Sequence, residues 1–384
     1  MKISKIANSI HPSLTRQLFD RAKQYNDVVD FTLGDPDFST PDFICDAACA
    51  SIKEGKTHYS ANAGLLELRE AISKRIESEN SRHYDANGEI IVTVGAMQGL
   101  YLSLLSILDE GDEVIIPSPH WINYKQMVQM CKANPVLINA FEENGFVPEI
   151  EEINNAISDK TVAIILNSPN NPTGAVYDRE TLESISKLAN KKNIYVIWDE
   201  CYKSIVYDDD YSSMLDCGID KDKLIVINSC SKRWAMTGWR LGYVASSKEL
   251  VSNMTKLQEN MVACASLPSQ YAALEAFLKS DNDSQMCRIF KNRRDTFVEG
   301  INKIDKLSCK MPKGTFYAMV NIKETGLKSE EFAYMLLDRE QVAVVPGITY
   351  GECCEGYIRI AYTLNEDRIE EGLKRIKHFV ESLV

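Results

Sequence analysis

Residues 162–166 read Val-Ala-Ile-Ile-Leu, 195–198 Tyr-Val-Ile-Trp and 224–227 Leu-Ile-Val-Ile. Each run is short, rich in β-branched residues and apolar at every position, so neither face of the strand it forms is suited to water. Outward from these three, the strand candidates are Glu89–Val94, Glu113–Pro117, Pro135–Asn139, Val162–Asn167, Tyr195–Trp198, Leu224–Asn228 and Leu241–Ala245. Helical patterns lie between them at Met97–Leu108, Asn123–Cys131 and Arg179–Ala189. Strands alternating with helices at this spacing predict an α/β large domain, with a mostly parallel seven-stranded sheet flanked by helices.

The two ends of the chain read differently. Residues 1–45 are expected to form an N-terminal arm and part of a smaller domain, 46–282 the large domain, and 283–384 a small α+β domain. The arm carries a short helical pattern at Ser13–Gln24. The C-terminal part holds helices at Met286–Ile304, Ser329–Arg339 and Glu366–Leu383. Its strands are expected at Thr315–Ile322 and, as a pair, at Val342–Val345 and Gly356–Ala361. Asp208–Asp210 reads as a solvated loop.

Composition removes several function classes. Among 384 residues, 43 Lys and Arg face 55 Asp and Glu, giving a net charge of −12. A protein that grips nucleic-acid phosphates shows the opposite balance, so no nucleic-acid partner is expected. No apolar run approaches the roughly 18–20 residues that span a bilayer, so no membrane role is expected either. The 11 cysteines show no CxxC and no regular spacing, and the first 20 residues lack the apolar core of a secretory leader. A cytoplasmic protein with reduced thiols is the expectation, and adjacent Cys353 and Cys354 read as small core or loop residues. The five histidines show no HExxH spacing, so no metal site is expected. Neither a GxSxG elbow nor a GxGxxG fingerprint is present.

Open α/β sheets place ligands at the carboxyl ends of their strands. Five strand ends here are polar: Gly95-Ala96-Met97, Ser118-Pro119-His120-Trp121, Asn167 through Gly174, Asp199-Glu200-Cys201-Tyr202, and Ser229-Cys230-Ser231-Lys232. Lys232 is the most informative. It follows an apolar strand and a tight turn, with Trp234, Ala235 and Met236 beside it. A lysine among apolar groups loses hydration, so its neutral amine becomes accessible below the free value of about 10.4. A neutral amine can form a Schiff base with a carbonyl. Taken alone, a lysine after a turn is more simply a surface group.

The string SCSKRWAMTGWRLGY at 229–243 resembles the cofactor-lysine signature of the fold type I pyridoxal 5′-phosphate (PLP) enzymes, specifically the aspartate aminotransferase family, class I/II. GDPDFSTP, HYSANAGLLELREAI, VTVGAMQGL, SPNNPTGAVY, WDECY, PKGTFY, VVPG and YIRIAY resemble the family's other blocks, in the family's order, from Gly34 to Tyr362. The resemblance implies that Lys232 holds PLP as a Schiff base and later moves a proton. It implies that Asp199 pairs with the pyridine nitrogen, and that Tyr202 and Asn171 hydrogen-bond the 3′ oxygen. The phosphate is expected at Gly95, Ala96 and Met97, at a helix N-terminus, with Ser229, Ser231 and Arg240 around it. Trp121 is expected over the cofactor ring. Tyr59 is expected to reach the phosphate of a neighbouring subunit, which implies a homodimer with shared active sites. Arg359 matches the arginine that grips the substrate carboxylate, assisted by Gly34 and Asn171. An arginine inside an apolar strand is costly to bury without an anion, which favours that role independently.

The implied activity is a ping-pong aminotransferase acting on amino-acid and 2-oxo-acid substrates. Some aspartate-specific relatives carry lysine where this chain has Met97, and others use an arginine in the segment aligned near Asn260–Pro268, which here has no base. A neutral or aromatic amino donor is therefore expected. The alternative is a PLP-dependent C–S lyase of the cystathionine type on the same fold, from which the GWRLGY continuation points away. A non-catalytic regulator on the same body is a third reading; such proteins carry an extra DNA-binding domain, for which the block at Gly34 leaves no room.

Overall fold

The computed structural model describes residues 2–10, 14–208, 211–279 and 284–383. Two residues of the expected 208–210 loop, the start of the Ser13–Gln24 pattern and the expected 282/283 boundary lie outside the described residues. The strands, in chain order, are β1 (Val29–Asp30), β2 (Ile90–Thr93), β3 (Glu113–Ser118), β4 (Asn134–Asn139), β5 (Thr161–Asn167), β6 (Tyr195–Asp199) and β7 (Leu224–Ser229). They continue with β8 (Gly242–Ala245), β9 (Ser308–Cys309), β10 (Tyr317–Asn321), β11 (Val342–Ala343), β12 (Val345–Pro346) and β13 (Tyr357–Ala361).

Seven strands form one sheet in the order β2-β8-β7-β6-β5-β3-β4. Only β8 runs against its neighbours; the β3–β4, β3–β5, β5–β6 and β6–β7 ladders are parallel. The expectation of a mostly parallel, helix-flanked seven-stranded sheet holds. Its physical basis is visible in the alternation of the central strands. Ile164, Leu166, Val196, Trp198 and Val226 enter one core. Ile165, Ile197, Ile225 and Ile227, one residue out of step, enter a second core on the other face. Register sets Asn167 opposite Asp199, which brings two polar strand ends side by side.

The helix expected from Met97 starts earlier, at Gly95, and runs to Ile107. The helix expected at Arg179–Ala189 continues to Lys192, with Asp178 accepting a bond from the Thr181 amide at its start and left-handed Asn193 ending it. Helices also form at Asp42–Lys53, Leu66–Glu79, Lys248–Val262 and Leu267–Lys279, beyond those expected.

A second, four-stranded antiparallel sheet has the order β12-β13-β10-β9. The expected single strand Val342–Val345 is in fact two. Val342 and Ala343 pair in parallel with Val29 and Asp30, while Val345 and Pro346 pair with Arg359 and Ile358. The chain changes partner at buried Val344, because a strand from the far N-terminus occupies the first half. Helices Ser284–Ile301, Ser329–Glu340 and Glu366–Glu381 accompany this sheet. Leu18, Val29 and Phe31 share its core with Phe290, Phe316, Phe332 and Phe379. Asp208, the described residue of the expected solvated loop, lies in a bend with its side chain half exposed and pairs with Arg294 at 2.7 Å and Lys291 at 3.0 Å. Among the described residues no helix is long and apolar enough to cross a membrane, and no group of three or more His, Cys, Asp or Glu is placed to hold a metal ion.

Candidate active site

A cavity of about 490 Å³ opens at the carboxyl ends of β5, β6 and β7. The irregular arm Thr32–Asp35, the N-terminus of helix Gly95–Ile107, and Tyr317, Tyr350 and Arg359 from the second unit complete its wall. Lys232 stands one turn beyond β7, and its Nζ donates to the Gly34 carbonyl at 2.6 Å. The rings of Tyr202 and Phe316 lie 5.8 and 5.4 Å from Nζ. Burial strips water from the ammonium and lowers its pKa to about 8; Asp35 and Cys201 oppose this shift, and Arg240 and Arg359 reinforce it.

Asp199 ends β6 and is 5% exposed. Burial raises its pKa, and hydrogen bonds from Tyr124 and Cys201 oppose the rise. Tyr124 Oη donates to Asp199 Oδ2 at 2.7 Å and the Cys201 amide to Oδ1 at 3.1 Å. Among the described residues no lysine or arginine forms an ion pair with this carboxylate. Asn167 Nδ2 donates to the Asp199 carbonyl at 2.9 Å, and Asn167 Oδ1 accepts the Asn171 amide at 2.8 Å. Asn171 is thereby held in the cavity wall, beside Tyr202. Burial holds the Tyr202 phenol far above its ordinary pKa, so it stays protonated, with its oxygen 3.1 Å from that of Tyr317.

Gly95 has φ +71°, which favours glycine, and a Cβ there would meet Arg240 Nη2 at 2.8 Å. The helix it starts leaves its first amides without intrahelical partners. Ala96 and Met97 open onto the cavity from that end, with Ser229, Ser231 and Arg240 across from them. Trp121 packs edge-on against Tyr124, with centroids 5.3 Å apart. Arg359, in the middle of β13, is 5% exposed. It donates to the Thr32 carbonyl, approaches Asn171 Oδ1 at 3.5 Å and lies over the Tyr317 ring at 4.5 Å. Its Nε is buried without a partner among the described residues, and no carboxylate there pairs with it.

The structure thus brings most of the expected residues to one cavity. Gly95 does not itself line the cavity, although a Cβ there would meet Arg240. Tyr59 is elsewhere, 87% exposed. Tyr124, Asn167 and Tyr317 also line the cavity, with no role that follows from the sequence. Tyr124 follows Trp121 by one helical turn, but nothing near it signals a carboxylate 75 positions away. Tyr317 lies in the PKGTFY block, and Asn167 directly precedes SPNNPTG.

An amine, a buried carboxylate and a buried guanidinium around one cavity at the edge of an α/β sheet define an enzyme that handles an amino group beside an anion. The family model for aminotransferase class I and II matches residues 26–376. The chain is 39% identical over 379 residues to a putative aminotransferase of Bacillus subtilis, YugH, covering 98% of each. It is 38% identical over 377 residues to an aspartate aminotransferase of Pyrococcus horikoshii, covering 97% of this chain and 95% of that one. It is similar to the crystal structure of an aromatic aminotransferase from Pyrococcus horikoshii OT3, with TM-score 0.90 and 36% identity over 96% of this chain and 100% of the other. The chain belongs to the class I and II aminotransferases, a family that is generally PLP-dependent. It is a transaminase, and the C–S lyase alternative is not favoured. The residues present fit PLP: a cation-free buried carboxylate, an amine driven toward neutrality and a glycine-lined helix N-terminus facing an arginine.

Proposed function

We propose that the chain binds PLP at Lys232 and moves an amino group from a neutral or aromatic L-amino acid to a 2-oxo acid, the donor's product leaving before the acceptor enters. The observation that carries this reading is the Lys232 amine, lowered to a pKa of about 8 inside a cavity that also holds Asp199 and Arg359. PLP, when bound, supplies an aldehyde that condenses with amines and a ring that accepts electrons. Lys232 would hold it covalently and, once displaced by the donor, take the proton from the donor's Cα. Asp199 would meet the pyridine nitrogen, so that each charge gains the partner that burial otherwise denies it. Tyr202 and Asn171 would hydrogen-bond the 3′ oxygen. Gly95, Ala96 and Met97, with Ser229, Ser231 and Arg240, would receive the phosphate, and Trp121 would cover the ring. Arg359, Asn171 and the Gly34 backbone would receive the donor's carboxylate.

The preference for a neutral or aromatic donor rests on the supply of cations. Among the described residues lining the cavity, the only bases are Lys232, Arg240 and Arg359. Each has a duty above, and Met97 offers nothing to a second carboxylate. Exposed Tyr59 suits contact with a second copy, so a homodimer with shared sites belongs to the proposal. So do a cytoplasmic setting, in keeping with 11 free cysteines, and the division into residues 1–45, 46–282 and 283–384.

Borohydride reduction of the PLP-loaded protein followed by peptide mapping tests the reading. The label is expected on Lys232 and is absent, with nearly all turnover, from Lys232→Ala. A label on another lysine overturns it. A donor screen tests specificity: strong activity with aspartate and little with phenylalanine, methionine or alanine removes the proposed donor class.

A further inference from the structure

Residues Phe31–Pro36 form no regular secondary structure, yet three of their carbonyls are held by side chains, two of them by the site residues Arg359 and Lys232. Thr32 accepts from Arg359, Leu33 from Thr363 Oγ1 at 2.8 Å, and Gly34 from Lys232 at 2.6 Å. A stretch without a continuous ladder is placed by whatever grips its ends. Upstream the grip is the sheet: the Phe31 amide donates to Ala343, and its carbonyl accepts from Ala361. Downstream it is Asp37. Arg293, on helix Ser284–Ile301, sets Nη1 and Nη2 on the two Asp37 carboxylate oxygens at 2.6 and 2.8 Å. The arginine is 6% exposed, with its guanidinium 5.5 Å from the Phe38 ring and 5.6 Å from the Phe290 ring. Those rings meet edge to face at 5.4 Å. A two-pronged pair fixes direction as well as distance, which a lysine ammonium does not. Neither Arg293 nor Asp37 lines the cavity, so any effect on the reaction travels through the arm.

We infer that Arg293 and Asp37 are positioning residues for the substrate carboxylate, their fork setting the arm so that the Gly34 backbone and Arg359 face the same ligand. The inference rests on the carboxylate reading of Arg359 and Gly34 given above. Thr237 Oγ1 also donates to Asp35 at 2.8 Å, a second tie on the arm, so loss of the fork is expected to displace the arm and not to unfold it.

The test uses the PLP-loaded enzyme with its best amino donor, and 3-phenylpropionate, a carboxylate with no amine to react, as a calorimetric probe. Arg293→Lys keeps the charge and removes the fork; Asp37→Asn keeps the shape and removes the charge. Both are expected to raise the donor KM and the probe Kd about tenfold, the scale of weakening one hydrogen bond to a charged group. Meanwhile kcat and the cofactor absorbance are expected to stay near wild type, the signature of lost uniform binding. The exchanged pair Arg293→Asp with Asp37→Arg is expected to regain part of the loss. Unchanged KM and Kd in both single variants, or a fall in kcat with KM unmoved, overturns the inference. Arg359→Lys separates the two layers. If it weakens the probe while the fork variants do not, the positioning role alone fails. If it binds the probe as tightly as wild type, the reading of Arg359 fails and takes the inference with it.

Discussion

Lys232 and Asp199 are pushed by the same burial in opposite directions. Desolvation lowers the lysine to about 8 and raises the aspartate. The lysine shift has a kinetic sign. Below its pKa the amine is protonated and cannot attack an aldehyde; above it the neutral form dominates. Uptake of PLP by cofactor-free protein, followed in a stopped-flow spectrometer, is therefore expected to quicken with pH and level off above about 8. A plateau reached only near the free-lysine value of about 10.4 means the amine is not perturbed. Arg359 is legible from the sequence as a charge inside an apolar strand. Lys232 and Asp199 gain their expected roles from the family blocks they stand in, since a lysine after a turn and an aspartate at a strand end have simpler readings alone. Tyr124 is not legible there, because its hydrogen bond to Asp199 depends on how helix Asn123–Met130 packs over a strand 75 residues on.

Strands and helices differ in how local their signals are. The seven strands of the large sheet lie within about a residue or two of the boundaries read from the sequence; in the central strands burial on both faces writes a continuous apolar run, while edge strand β4 is largely exposed. The helix Leu267–Lys279 carries alanines and aromatics without a clear polar stripe, so its periodicity does not stand out in the sequence. The split between β11 and β12 does not stand out either, since its cause, Val29, lies over 300 residues upstream. At this scale the arm makes the sharpest demand. A Cβ on Gly34 would fall 1.7 Å from Tyr317 Oη, the atom that also approaches Tyr202 at 3.1 Å. Gly34→Ala is expected to cut kcat/KM by about a hundredfold, the scale on which roughly 1 Å of misplacement acts. Gly34→Ala with Tyr317→Phe is expected to recover part of that, because removing the hydroxyl removes the nearest clash. No recovery would place the cost in the ring carbons Cζ and Cε1, which the phenylalanine keeps at 2.7 and 3.0 Å from that Cβ.

The molecule as a whole holds three cores, one on each face of the large sheet and one with the small sheet. Tyr59 stands 87% exposed, with Met261 and Val262 also open at 46% and 44%. Its loop is tied to the helices that follow β8, through Gln258 to the Asn62 carbonyl and Gln270 to Ser60. If a second copy covers this region and Tyr59 reaches its phosphate site, Tyr59→Phe is expected to raise the Kd for PLP about tenfold, as for loss of one hydrogen bond to a charged group. The Kd for pyridoxal, which has no phosphate, is expected to stay put. Sedimentation should return the mass of two chains; a monomer that binds PLP at full strength removes the shared site. The arm's carbonyls at Thr32 and Gly34 are held by an arginine rooted in one sheet and a lysine rooted in the other. The two-residue interval between them thus acts as a ruler laid across the seam. A single residue inserted there would leave the hydrophobic interiors whole and still throw amine and guanidinium out of step, whereas an extension ahead of Lys5 would cost nothing in that measure.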